Sequence, residues 1–404
     1  MKKLLLFVIL AVISLLIVFN LKFFILWDHI DINVAAYNKN TDKLYLIREN
    51  NKYGYVNGKG EVIIKPILNN ARDFSDGLAA IKINNLFKQE CFIDTSGKIV
   101  FNTDIDKTED FSEGIAIIRN TAPEIDPRFT EEFSKDVKFG YINNLGKVIV
   151  KPTFSNAKKF SEGLAAVQND KRKWGYINKD GTYAIEPRFD VVYDFSNGYA
   201  PVVLNVDNSE EYCYIDKKGN IALSPRFTSP STPSEGLIIG RPEDSQDRIV
   251  CFDYKGNIIF SIKGNGSEPF KDGRAPYMID DKWGFINKKG EIVIIPSFDD
   301  VSRFYEDMAR VKLSGKWGFI DIKGKIVIHP SFDDVYNFNE GLAAIKVDGR
   351  WGFIDKTGKI VINPEYDSVK NFKNGICKVY YLQGDIVYKY GYIDKTGKFI
   401  WKSW

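Results

Sequence analysis

Two histidines, His29 and His329, are the only imidazoles among 404 residues. Hydrolysis by an activated serine needs serine, histidine and carboxylate brought together, and a histidine-rich zinc site needs several imidazoles. Neither histidine has such company. His29 follows an apolar N-terminal run, and His329 closes the apolar stretch Ile326-Val327-Ile328. No Gly-x-Ser-x-Gly elbow and no glycine-rich phosphate loop ending in Lys-Ser or Lys-Thr occurs. A glycosidase needs two carboxylates at a set separation in one cleft. The 53 Asp and Glu residues recur in turns, so repetition supplies many candidate pairs and favours none. No catalytic, cofactor-binding or metal-ligating residue is expected, and the chain does not read as an enzyme.

The composition suits a large folded core, with 44% hydrophobic and 27% charged residues. Lys and Arg number 56 against those 53 acids, a net charge of +3. A nucleic-acid partner would need a clustered basic surface, and none is seen. The rings stand out: 29 Phe, 21 Tyr and 7 Trp. The elements that must position them repeat.

A small polar residue closes a segment of the type Gly-Phe-Ile-Asp at Asn57, Asp94, Asn143, Asn178, Asp216, Asp253, Asn287, Asp321, Asp355 and Asp394. The steps are 37, 49, 35, 38, 37, 34, 34, 34 and 39 residues. A glycine follows three residues after each, as at Gly290, Gly324 and Gly358, so the chain holds ten copies. In the ninth copy Leu342–Lys346 reads as strand A, Trp351–Ile354 as strand B and Lys359–Ile362 as strand C. Between B and C, Asp355 and Gly358 fit a type I turn followed by a left-handed glycine.

Strand B opens with a large ring beside glycine in Trp174-Gly175, Trp283-Gly284, Trp317-Gly318 and Trp351-Gly352. The glycine removes bulk where a neighbouring backbone or ring comes close. The tryptophans are either core rings packed between copies or an exposed platform for stacking sugars, and their solvent exposure separates the two. A proline six residues past the turn glycine, as at Pro296, Pro330 and Pro364, ends ladder pairing. A second ring follows before the next turn, as at Phe304, Phe338 and Phe372. The connector is expected to plug its rings under the sheet.

Trp317-Gly318-Phe319-Ile320-Asp321 with Gly324, Pro330 and Phe338-Asn339-Glu340-Gly341 closely resembles the bacterial WG-repeat family, also called KWG repeats. The resemblance covers nearly everything from 44 to 404. It implies an all-β array of variable repeat number, often joined to export signals, and assigns no biochemical role.

The expected fold is all-β: tandem repeats of about 34–38 residues, each a three-stranded antiparallel meander, or four-stranded if the connector adds a strand. The unequal steps favour an open, curved β-repeat array, with one or two β-propellers as the alternative. Residues 1–27 are expected to form a transmembrane anchor or signal-like segment, 28–43 a connection, and 44–404 the repeat domain with an insert at about 120–138. Lys2 and Lys3 before the apolar run favour a single-pass membrane protein with its N-terminus cytoplasmic and its repeats extracytoplasmic. Signal cleavage, giving a secreted or periplasmic chain, is the alternative. Copies two, five and six depart most from the pattern, and these and the insert are where a binding surface or a subdomain boundary is expected. Cys91, Cys213, Cys251 and Cys377 are expected as free buried thiols, with Cys213–Cys251 the one bridge worth testing. The functional expectation is a non-catalytic scaffold for an unidentified protein or cell-envelope polymer, or a carbohydrate binder using exposed aromatics.

Overall fold

Alternating apolar residues and a polar turn every few positions fold each copy onto itself before it meets a neighbour. The computed structural model describes residues 43–404, apart from 83–89, 104, 106, 121–136, 207–208, 224–226, 228–230 and 385. The described strands form ten separate antiparallel sheets, eight with four strands and the first and sixth with three. The chain divides into two units. Met1–Asn85 with Phe92–Val100 carries the first sheet and most of the second, and Leu86–Cys91 with Phe101–Trp404 carries the rest.

The eighth sheet shows the plan. A two-residue lead strand, Asp300–Val301, pairs with strand A, Met308–Leu313. Strand A pairs with strand B, Lys316–Asp321, and B with strand C, Ile326–Phe332. Strand C of the seventh sheet ends at Phe298, and only Asp299 separates it from this lead strand. The connector therefore supplies the first strand of the next sheet. The B–C turn is closed by the Gly324 N–H donating to the Asp321 carbonyl at 2.9 Å, with Gly324 at φ 84°. The Asp321 carboxylate accepts from the N–H groups of Lys323 and Lys325 at 2.9 Å.

The core of the second unit lies between sheets. In the ninth sheet Ala343, Ile345 and Ile354 pack toward Trp317, Phe319 and Ile328 of the eighth. Leu342, Ala344, Trp351 and Phe353 pack toward Val369, Phe372, Cys377 and Val379 of the tenth. Strand alternation thus gives each sheet two apolar faces, one for each neighbour.

The expected open, curved array is corrected on this point. Hydrogen-bonded ladders stay inside each sheet, and discrete four-stranded meanders meeting face to face in chain order are the blades of a β-propeller. The unequal steps misled because the extra length goes into the A–B hairpin and adds no strand. It enters either as a loop or, in the fifth and tenth sheets, as longer paired strands, Tyr199–Val206 with Ser209–Asp216 and Ile376–Gln383 with Ile386–Asp394. The insert at 120–138 lies between paired strands Ile115–Arg119 and Phe139–Asn143, so it lengthens one hairpin and leaves the sheet intact. Residues 121–136 of it are outside the described ones.

The membrane expectation is also corrected. Among the described residues no helix is long and apolar enough to cross a membrane, and the span itself, 1–27, lies outside them. A single-pass topology with extracytoplasmic repeats therefore has no support among the described residues. All four cysteines are buried and free. Cys213 sits in the core between the fourth and fifth sheets and Cys251 in that between the sixth and seventh, so no bridge joins them. Burial pushes the thiols of Cys251 and Cys377 up to about 12.

Candidate functional site

Strand C carries a bulge opposite the strand-B glycine. The register runs Trp317↔Phe332 and then Phe319↔Ile328, so two extra residues, centred on His329 and Pro330, arch over Gly318. A Cβ on Gly318 would lie 2.4 Å from the Ile328 carbonyl oxygen and 2.5 Å from the Pro330 nitrogen. Gly175, Gly284 and Gly352 face the same arch. The tryptophan beside the glycine lies under the connector. Trp174, Trp317 and Trp351 are 9%, 9% and 6% exposed, and Trp283 is half-buried. Arg310 stands over the Trp317 ring at 5.1 Å, and Lys346 over Trp351 at 5.8 Å. The connector rings Phe304, Phe338 and Phe372 pack against Phe285, Phe319 and Phe353 of the preceding sheet, at 4.9, 4.8 and 4.9 Å between centroids. Trp174, Trp317 and Trp351 are therefore core rings with no face open for stacking a sugar. His329 is exposed, His29 lies outside the described residues, and no described group of three or more His, Cys, Asp or Glu is placed to hold a metal.

A second repeated device ties sheet to sheet at the turn before strand A. Glu113, Glu162, Glu235, Glu306 and Glu340 occupy left-handed backbone, with φ between 51° and 53°. Each carboxylate accepts the N–H of the glycine in the next copy's turn: Gly163, Gly198, Gly273, Gly341 and Gly375, at 2.7–3.1 Å. A lysine from that next copy's B–C turn reaches back to the carboxylate: Lys179, Lys217, Lys288, Lys356 and Lys395, at 3.0–3.6 Å. The same ammonium donates to the glutamate's own carbonyl. At two joints within the second unit both partners differ together. Asn197 is matched by Tyr254, whose ring lies 4.4 Å from that of Tyr199, and Asp272 is matched by Ile322.

Partial burial works against ionisation of Glu113, Glu162, Glu235 and Glu340. The turn N–H donors and the lysine outweigh it, and all four sit below the ordinary carboxylate value. A carboxylate held lower in the folded than in the unfolded chain stabilises fully above the unfolded value, about 4.3. That stabilisation is lost as pH falls through the folded value. Thermal melts between neutral and strongly acid pH should show a falling Tm below the ordinary carboxylate range. A variant with all four changed to Gln should show a shallower acid-side fall. Parallel curves for the two proteins would count against the clamp.

The surface carries a row of a different kind. The residue two past the turn glycine is apolar in all ten copies. In the second unit it stands on the edge strand of each sheet. It is exposed in the third to seventh and the ninth, at Val148, Tyr183, Ile221, Ile258, Ile292 and Ile360, by 39% to 62%, while Ile326 of the eighth and Phe399 of the tenth are half-buried.

The sixth copy departs from the repeat on its inside. Where the ninth copy has Ile345, Phe338 and Tyr336, the sixth has Gly240, Pro233 and Ser231. Where the passage from the eighth sheet to the ninth has Phe332 and Val335, that from the sixth to the seventh has Gly264 and Ser267. A cavity of about 370 Å³ lies there, lined by residues including Ser231, Gly240, Arg241, Asn265, Ser267 and Glu268. The Ser231 Oγ and Asn265 Oδ1 are shielded from solvent without a hydrogen-bond partner. The nearest cation to the Glu268 carboxylate is Arg303 at 3.8 Å. Burial holds that carboxyl above its ordinary range, against the pull of Arg303. The sequence marks the sixth copy as irregular. What it offered toward the cavity, and went unread, is the missing ring at Pro233 and the missing branched side chain at Gly240.

A family model described as "WG containing repeat" matches residues 53–87, 92–121, 139–172, 174–205, 212–239, 251–283, 283–317, 317–351 and 351–381. No curated protein matches the sequence. Among solved structures the chain is similar to one titled as the eukaryotic initiation factor, at 13% identity and TM-score 0.49, over 90% of this chain and 96% of that one. It is also similar to BamB from Moraxella catarrhalis, at 9% identity and TM-score 0.35, over 80% and 97%.

Proposed function

The chain belongs to the WG-repeat family, and from that premise we propose that it is a non-catalytic scaffold that holds a partner protein along the row of edge-strand apolar residues. The row carries the reading. Ile258, Ile292 and Ile360 are 62%, 52% and 48% exposed at equivalent places on their sheets. Repetition of an exposed apolar side chain at the same place on six of the eight sheets of the second unit supplies equivalent apolar contacts for a partner. The edge strands themselves are guarded against pairing with another chain by the bulge and by Pro296, Pro330 and Pro364, so the partner docks through side chains.

The test is a triple variant, Ile258→Ser, Ile292→Ser and Ile360→Ser. All three sites are exposed, so circular dichroism and Tm should stay near those of the parent. Quantitative cross-linking in the native cell should recover at least one protein that the parent captures and the triple variant captures at least tenfold less. Equal recovery of every partner by both proteins would remove the row from the function.

A further inference from the structure

The cavity between the sixth and seventh sheets is built by subtraction. A branched side chain, two rings and a valine of the regular copy are replaced by Gly240, Pro233, Gly264 and Ser267. Part of the freed space is refilled, since the Phe227 ring lies 3.0 Å from where a Cβ on Gly240 would sit. The remainder stays open and is bordered by polar groups with unspent bonding capacity. The Ser231 Oγ and Asn265 Oδ1 have no partner. Among the described residues Arg241 has no ion-pair partner either. A buried polar group left unpaired is costly, and a ligand that supplies partners to several of them recovers that cost.

The lining specifies the ligand's chemistry. Arg241 offers a guanidinium fork, which matches a carboxylate. The Asn265 Oδ1 only accepts, as does an ionised Glu268, so the ligand must bring several donors. Ser231 and Ser267 hydroxyls serve either way. Glu268 on the wall disfavours a dianion such as a phosphate monoester. The donors are needed at several points around the hollow, which suits hydroxyls spread over a compact body better than one ammonium. We propose that this cavity binds a single acidic sugar unit of the uronate class, with its carboxylate on Arg241 and its hydroxyls on Asn265, Ser231 and Glu268. This goes beyond the protein-scaffold reading and does not depend on it.

Isothermal titration of the full chain with glucuronate tests the assignment, with glucose, acetate and glutamate as comparison probes. Glucuronate should bind saturably. Glucose, which lacks the carboxylate, and acetate, which lacks the hydroxyls, should each bind at least tenfold more weakly, as should the amino acid. Arg241→Gln should weaken glucuronate at least tenfold. Ser231→Tyr with Ser267→Val restores the residues of the ninth copy and should abolish binding with Tm preserved. The triple isoleucine variant should bind glucuronate as the parent does, so loss of the scaffold function and loss of this site are separable. Absence of glucuronate binding would overturn the proposal. So would equal affinity for acetate, glucose or glutamate, or undiminished affinity in Arg241→Gln.

Discussion

Trp317→Ala should destabilise the eighth copy by about 3–5 kcal/mol, the usual cost of removing a buried indole. The ring is 9% exposed and packs with Met308, Phe319 and Ile328 of its own sheet and Val335 and Phe338 of the next. Part of the loss is therefore charged to the ninth copy, because neighbouring repeats share their core. A long repeat chain need not unfold in one step, so the measurement is hydrogen exchange resolved by strand. Amides of Met308–Leu313 and Leu342–Val347 should lose protection together, while those of distant sheets change little. A change below about 0.5 kcal/mol at both strands would mean that the ring is no part of the core.

Gly318→Ala should cost about 3 kcal/mol, at the upper end for overpacking. The added carbon would meet two backbone atoms of the strand-C arch within 2.5 Å, and backbone cannot swing aside as a flexible side chain can. Gly341 is the control. It sits at φ 85° with nothing within 4 Å of its missing Cβ, so alanine there meets only the left-handed penalty, about 1–2 kcal/mol. Denaturant melts should rank Gly318→Ala below Gly341→Ala. The reverse order would show that the arch yields readily.

Much of this was legible in the residues. The Asp-to-Gly turn every 34 to 49 residues fixed where strands B and C lie, because a turn closed by a left-handed glycine admits few alternatives. The glycine after tryptophan announced a close approach, and Pro330 announced broken pairing; the arch is both at once. The arrangement of the sheets was misjudged, because step length mixes sheet with hairpin and only the sheet packs. The glutamate joints were missed for a different reason. A Glu before Gly in a turn reads as a solvated acid, and its partner lysine lies 50 to 66 residues away. The cavity was missed because a hollow is marked by side chains that are absent.

Those glutamate joints bear on how ten similar copies find their proper order. A chain of near-identical units risks docking one unit on the next but one. The joint pairs work against that slip. If the sixth copy met the eighth, Glu235 would face Ile322 in place of Lys288, leaving its carboxylate without a counter-charge. If the seventh met the ninth, the shorter Asp272 would meet Lys356, which belongs with Glu306. The two odd joints thus serve as alignment marks within an otherwise monotonous text. Because the marks are written in exposed charge, concentrated salt should blur them, and refolding from denaturant should yield more mis-threaded molecules in high salt than in low.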